Sequence, residues 1–417
     1  VNHYIAYAET ANNIKKILRS KNVRNQIERI VGKQGLKEID SWFINSVNPS
    51  KSNIIENNGI EDIAKALRLR LSVVYLGLNF VSGLAQFSSF GLTARRIGFK
   101  NAISGLVEYL SVKDGINPMK RYKEINERSS MMAMRTKSFD REYRDYMADQ
   151  RYKRLFKKTP KLQDAFFIFL RTIDSITAYS SWLGAYNKGY SIYKDDAAAI
   201  RYADDVVSKT QPMSDVTNLA SIQRGSELQK LFTPFYTALG HVYNEMDTQT
   251  RGAIKKNISF TEYMASMFWI VLVPAIYNTI IRNPEEIQKL VTGEGDEETI
   301  KVFGQGLTGY LAGTVPIVGG AIGSFFNEYP YTPVPAFDAV KYGDRLLKAI
   351  GKGDVGKATE NAIITGGFFF KYPSKQAART LTGAYDLITD ETDDLRRLIY
   401  SEYVLEGDKN KKKKFNF

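Results

Sequence analysis

Apolar residues recur every three to four positions along most of the chain, and no series of alternating apolar and polar positions predicts a sheet. Ile14, Ile17, Leu18, Ile27, Ile30 and Val31 mark a first helix, which Gly32 and Gly35 are expected to close. "KEIDSWFINSVNP" predicts a second, short helix that stops near Pro49. Leu71 to Ala94 then carries no charge, with Arg68 and Arg70 before it and Arg95 and Arg96 after it. That length suffices to cross a bilayer, although Asn79, Gln86, Ser88 and Ser89 dilute it. A buried helix pair fits the same pattern.

Helical spacing resumes at Lys161. "LQDAFFIFLRTIDSITAYSSWLGAYNKGY" is apolar on one side, and "KDDAAAIRYADDVVSKTQ" follows it. Asp195 and Asp196 stand where acids favour a helix N-terminus, and Gln211-Pro212 should end that helix. Leu219, Ile222, Leu228, Leu231, Phe232, Phe235 and Leu239 form the next stripe, with a kink expected at Pro234. Tyr263 to Ile281 is uncharged and holds Trp269 and Pro274, the latter expected to bend it. It reads either as a membrane span or as a core helix.

After the acidic stretch "TGEGDEET", no charge occurs from Val302 to Asn327. "GQGLTG" matches the letters of a dinucleotide fingerprint, but no strand precedes it, and a phosphate loop of the Walker type would need a lysine. Gly309 and Gly313, like Gly319 and Gly323, instead have the small-xxx-small spacing that lets helices approach closely. Pro316 should break the run into two helical pieces. "NEYPYTPVPAFD" predicts an extended connector before C-terminal helices and a lysine-rich tail.

The pattern as a whole predicts an all-α, elongated, multi-helix assembly with several apolar helices and little or no sheet. Its expected divisions are 1–118, 119–160, 161–290, 291–400 and a basic tail, 401–417. Composition adds charge to that picture. The formal net charge is +13, which suits polyanionic partners. Between 119 and 159, thirteen Lys and Arg oppose six acids, with Tyr122, Phe139, Tyr143, Tyr146, Tyr152 and Phe156 interleaved. Arg151, Lys153, Arg154, Lys157 and Lys158 are the candidate contacts to a nucleic-acid backbone. A surface helix laced with pairs such as Arg141–Asp145 is the competing reading.

The absence of cysteine excludes disulfides and thiolate chemistry. The two histidines, His3 and His241, fit no metal-binding spacing, and no nucleophile motif accompanies them. His241 is expected to be packed in its helix. Asp195-Asp196 and Asp204-Asp205 read as capping and solvated acids rather than metal ligands. No catalytic residue, cofactor site or metal site is predicted, and the chain reads as non-enzymatic. It starts at Val1, so it is either processed or a segment of a longer protein. "VNHYIAYAETANNIKKIL" has no continuous apolar core of the signal-peptide kind.

Several blocks between 160 and 390 together resemble the C-terminal helical region of large phage polyvalent proteins and internal virion proteins. They are the helix with Asp174, Trp182 and Tyr186, "AAAIRYADDVVSKTQ", "LASIQRGSELQKLFTPFYTALGHVYNEM", "MFWIVLVPAIYN", "VPIVGGAIGSF", "TPVPAF" and "PSKQAARTL". The resemblance implies a virion protein packaged inside the capsid or along the portal and tail axis. It would be delivered with the genome to the host envelope, where such proteins line a conduit for DNA. Expected partners are further copies of the chain, other virion, portal or tail proteins, the DNA backbone and the host membrane. Trp269, Pro274, Gly309, Gly313, Pro316, Gly319 and Gly323 are the candidate membrane or helix-packing residues. An internal head protein that escorts DNA, or a structural segment of a larger enzyme, are the alternatives.

Overall fold

A computed structural model describes residues 12–47, 59–113, 115–135, 167–213, 236–295, 297–313, 337–370, 372–401 and 404–405, with single positions between 223 and 230. Among these residues every regular element is a helix, and the one β-bridge, Lys113 to Ile116, closes a tight turn. The predicted all-α class is therefore what forms. Residues 12–19 are helical and are followed by α1 (Lys21–Val47), α2 (Gly59–Leu76), α3 (Phe80–Gln86) and α4 (Phe90–Ile97). Next come α5 (Phe99–Leu110), α6 (Pro118–Arg128), α7 (Ser130–Arg135), α8 (Ile168–Tyr193) and α9 (Asp196–Thr210). Then follow α10 (Tyr236–Ile254), α11 (Phe260–Met267), α12 (Val273–Arg282), α13 (Pro284–Thr292) and α14 (Glu297–Gly313). α15 (Phe337–Gly351), α16 (Val355–Phe370) and α17 (Ser374–Ile388) complete the order.

Local signals set many of these ends. The Asp195 side chain accepts from Ala198 N at 2.7 Å and caps α9, whose first turn also holds Asp196. Gln211 terminates α9 ahead of Pro212, as expected. Asn117 caps α6 through Lys120 N at 3.0 Å, with Pro118 at the first helical position. α1 is two helices that meet at Gly32, whose φ of 75° and ψ of 172° are not helical, so Gly32 stops the first of them as expected. Arg24 and Asp40 form a two-pronged ion pair at 2.7 and 2.9 Å. Sixteen residues of straight helix would separate them by about 24 Å, so the chain turns back at Gly32 between the two helices.

The uncharged run from Leu71 to Ala94 is also broken. α2 and the limb formed by Phe80–Ile97 meet at 90°. Leu78 adopts φ 52° there, and the Asn79 side chain accepts from Ser82 N at 3.0 Å to start α3. The stretch therefore forms a bent helix pair and not one straight helix.

The core centres on α8. α5 crosses it where Gly105 meets Gly184. A Cβ on Gly105 would lie 2.5 Å from Gly184 N and 2.7 Å from Gly184 Cα, and one on Gly184 would strike the Asn101 carbonyl. Beside this crossing, Trp182 is fully buried and donates its indole N–H to Asp204 Oδ1 at 2.7 Å. Ser129 Oγ donates to the same oxygen at 2.7 Å. Asp204 is thus a half-buried acceptor with its pKa raised by burial, not the solvated acid expected of the Asp204-Asp205 pair. Asp205 pairs with Lys209 on the surface.

The described part of the basic segment turns inward. Tyr122 packs against Tyr179 with ring centroids 4.8 Å apart. Arg128 lies over Tyr186 at 4.3 Å and pairs with Asp196. Arg135 is buried and donates to Asp174 at 2.6 Å and to the Pro212 carbonyl at 2.5 Å. Arg151, Lys153, Arg154, Lys157 and Lys158, with the Arg141–Asp145 pair, lie outside the described residues.

A second cluster joins the two ends of the chain. Leu71 and Val74 of α2 pack with Ile364 and Phe368 of α16 and Ala378 of α17. Arg68, also on α2, donates to Glu227 at 2.8 Å.

The glycine crossing makes a direct prediction. Gly184→Val should force α5 off α8 and lower stability by about 1–3 kcal/mol or prevent folding. Gly343→Ala, with nothing within 4 Å of the added Cβ on α15, should be neutral or stabilising by about 0.5–1 kcal/mol. Urea denaturation followed by circular dichroism reads both, and equal midpoints for the two variants would remove the crossing from the account.

Candidate membrane-contacting helix

α11, a wide turn and α12 form one continuous helix from Phe260 to Arg282. Among the described residues it is the single straight helix long and apolar enough to cross a membrane, and only 33% of its most apolar window is buried. Ser259 and Glu262 start it with a reciprocal capping box, Ser259 N donating to Glu262 Oε2 at 2.7 Å and Glu262 N to Ser259 Oγ at 3.2 Å.

The bend expected at Pro274 takes the form of a π turn over Phe268–Leu272, where Val273 N donates to the Phe268 carbonyl. Proline has no N–H and its ring collides with the carbonyl four residues back. A wider turn relieves both problems without ending the helix. Gly91 on α4 accommodates it: a Cβ there would lie 2.7 Å from the Trp269 carbonyl and 3.2 Å from Pro274 Cγ.

The helix has two unlike faces. Ser266, Ile270, Pro274, Ala275 and Thr279 are buried against the scaffold. Phe260, Met264, Phe268 and Leu272 recur every four residues on the other side and are 74%, 50%, 45% and 39% exposed. Trp269 sits at the seam, stacked on Phe99 at 5.5 Å and edge-on to Phe268 at 5.3 Å. Of the sequence candidates, Pro274 is therefore a packing residue, and Trp269 bridges the packed and open faces.

Polar side chains within this helix are satisfied by their own backbone. Ser266, Asn278 and Thr279 donate to the carbonyls of Glu262, Pro274 and Ala275 at 2.7, 2.9 and 2.8 Å. Tyr277 OH donates to the Leu84 carbonyl at 3.1 Å. The open stripe consequently presents hydrocarbon and aromatic surface.

Arg95 ties this helix to α4, and Arg95 and Arg96 tie α4 to α10. Arg95 Nε donates to Ser266 Oγ at 2.6 Å and Arg95 Nη2 to Gln249 Oε1 at 3.2 Å. Arg96 pairs with Glu245, one turn before Gln249 on α10. Together with Tyr202 and Asp205 these groups line a cleft of about 300 Å³. His241, one turn earlier on α10, is half-buried, with its Nε2 shielded from solvent. Burial first, and then the Arg135 charge, push its pKa down to about 4, so it packs as neutral imidazole at neutral pH. Among the described residues no three His, Asp or Glu side chains gather as a metal site.

The first half of the glycine-rich run is helical and belongs to α14. Its close contact lies at Gly306, where a Cβ would stand 2.7 Å from Thr279 Cγ2 and collide with Thr279 Oγ1. Gly309 and Gly313, the pair singled out by spacing, lie in the last turns of the same helix. Pro316, Gly319 and Gly323 fall outside the described residues. Gly306 was not among the glycines that sequence spacing singled out, and the surroundings of Gly309 and Gly313 lie outside the described residues.

No family model, no curated protein and no solved structure matches this chain.

If Gly306 sets the distance between α12 and α14, Gly306→Ala should cost about 1–3 kcal/mol. Thr279→Ala removes the two nearest obstructing atoms, so the double variant should recover on the order of 1 kcal/mol relative to additivity. Strictly additive urea midpoints would show that the two residues do not meet.

Proposed function

We propose that this chain is a non-enzymatic, helical structural protein of a tailed-phage virion. It is packaged in the particle, delivered with the genome, and assembles with further copies at the host envelope to help form a conduit for DNA. The observation that carries the reading is the helix Phe260–Arg282, apolar over a membrane-spanning length yet open along the stripe from Phe260 to Leu272. A soluble core helix of this hydropathy would bury that stripe. A helix that exchanges protein or water for lipid needs it open.

Three further features support delivery. The order of sequence blocks from 160 to 390 resembles that of internal virion proteins. No cysteine occurs that could cross-link a chain passing a narrow portal. The net charge of +13 suits packing beside DNA.

The membrane step is tested by flotation of the purified chain with liposomes, combined with dye release. The wild type should float with vesicles and release dye. Phe268→Asp/Leu272→Asp should remain in the dense fraction with unchanged far-ultraviolet circular dichroism. A wild-type chain that stays soluble and monomeric with vesicles from acidic to neutral pH contradicts the proposal.

A further inference from the structure

The turn between α10 and α11 combines charge and exposed hydrocarbon in a way that the fold does not use. Ile254 and Phe260 flank it and are each 74% exposed. Between them stand Lys255 and Lys256, both exposed, with neither in an ion pair among the described residues. Arg251, a turn earlier, adds a third cation and is held by Asp247 at 2.7 Å. The turn is well ordered by its own backbone. Lys255 N donates to the Arg251 carbonyl at 2.9 Å, Lys256 N to Ala253 at 3.0 Å and Asn257 N to Gly252 at 2.8 Å. Lys256 adopts φ 58°, which reverses the chain. A groove of about 390 Å³ lined by Arg251, Gly252, Lys255, Asn257 and Ile258 opens beside it.

Charge is distributed unequally along the apolar helix that follows. Arg251, Lys255 and Lys256 precede its first turn, which holds Glu262, while beyond Arg282 at its end six acidic residues oppose Lys289 alone between 285 and 298. Apolar side chains interleaved with lysines at one end of an apolar helix match the boundary between acyl chains and phosphates. The open stripe continues from Phe260 through Met264 and Phe268, so the turn and the stripe form one surface.

We infer that this turn is a phospholipid-headgroup anchor that seats Ile254 and Phe260 at the acyl boundary of an anionic bilayer while Lys255 and Lys256 take lipid phosphates. The inference rests on the membrane contact proposed above and adds its lipid class and its polarity: the basic end of the helix lies on the anionic leaflet and the acidic 285–298 end away from it. Duplex DNA also offers phosphates, but it offers no apolar boundary for Ile254 and Phe260.

The native chain has no cysteine, so single labels are possible. Ile254→Cys, Phe260→Cys and, as a control on an exposed distant site, Ile30→Cys would each carry an environment-sensitive fluorophore. Titration uses vesicles of phosphatidylcholine with and without phosphatidylglycerol, inorganic phosphate alone, and a DNA duplex. Labels at 254 and 260 should enter an apolar environment only with the anionic vesicles, while the label at 30 should not respond. Lys255→Glu/Lys256→Glu should weaken anionic-vesicle binding by roughly 30-fold or more, from about one kcal/mol per surface lysine, and should leave the circular dichroism unchanged. Labels at 254 and 260 that stay aqueous while the chain floats overturn the anchor but leave the membrane reading intact, as does undiminished binding by the double-lysine variant. An equal response to DNA overturns the lipid assignment. Failure of the unlabelled chain to bind any vesicle overturns both.

Discussion

The fold depends on the approach of two backbones. Gly105 and Gly184 let α5 and α8 cross with no side chain between them, and that spacing sets where Trp182 falls. Once Trp182 is buried, its indole needs an acceptor, and Asp204 of α9 supplies one that Ser129 shares. A small polar cluster extends the same seam. Thr93 meets Ser181 at 2.9 Å and Thr210 at 3.1 Å, and Gln211 donates to Thr93 at 3.0 Å. Each buried hydroxyl in this cluster has a partner, so the cluster fixes the relative register of α4, α8 and α9.

That scaffold positions the apolar helix without enclosing it. α4 carries Gly91 on one turn and Arg95 on the next. Gly91 admits the wide turn at Phe268–Leu272, and Arg95 reaches Ser266. These contacts engage one face of the helix and leave the Phe260–Leu272 face open. Ser266, Asn278 and Thr279 bond to carbonyls of the same helix, so those bonds do not depend on what covers the open face. α14 lies against the far half through Gly306 and Thr279, placing the start of the glycine-rich run beside the same helix.

Helical class was legible from apolar spacing, and the limits of α9 from Asp195 and Gln211-Pro212. The open stripe was also present in the sequence as four residues spaced by four. Other features depended on partners distant in sequence. Gly32 read as a stop and is one, but the Arg24–Asp40 pair that holds the two flanking helices against each other was not legible. The run from Leu71 to Ala94 read equally as one span or a helix pair, and an asparagine cap and a left-handed Leu78 divide it. High basic charge read as surface, but Arg128 and Arg135 face Asp196 and Asp174. Composition records that cations are present, and only the fold pairs them with acids forty to seventy residues away.

The central claim is that α5, α8 and α9 stay folded while the helix Phe260–Arg282 exchanges its open face from water to lipid. Hydrogen–deuterium exchange of the full chain, with and without anionic vesicles, tests this most directly. The account predicts slow, unchanged exchange across Phe99–Leu110 and Ile168–Thr210, with added protection confined to Phe260–Arg282 and the turn before it. Unchanged exchange in that helix, or loss of protection throughout the α5–α8 core on adding vesicles, would contradict it.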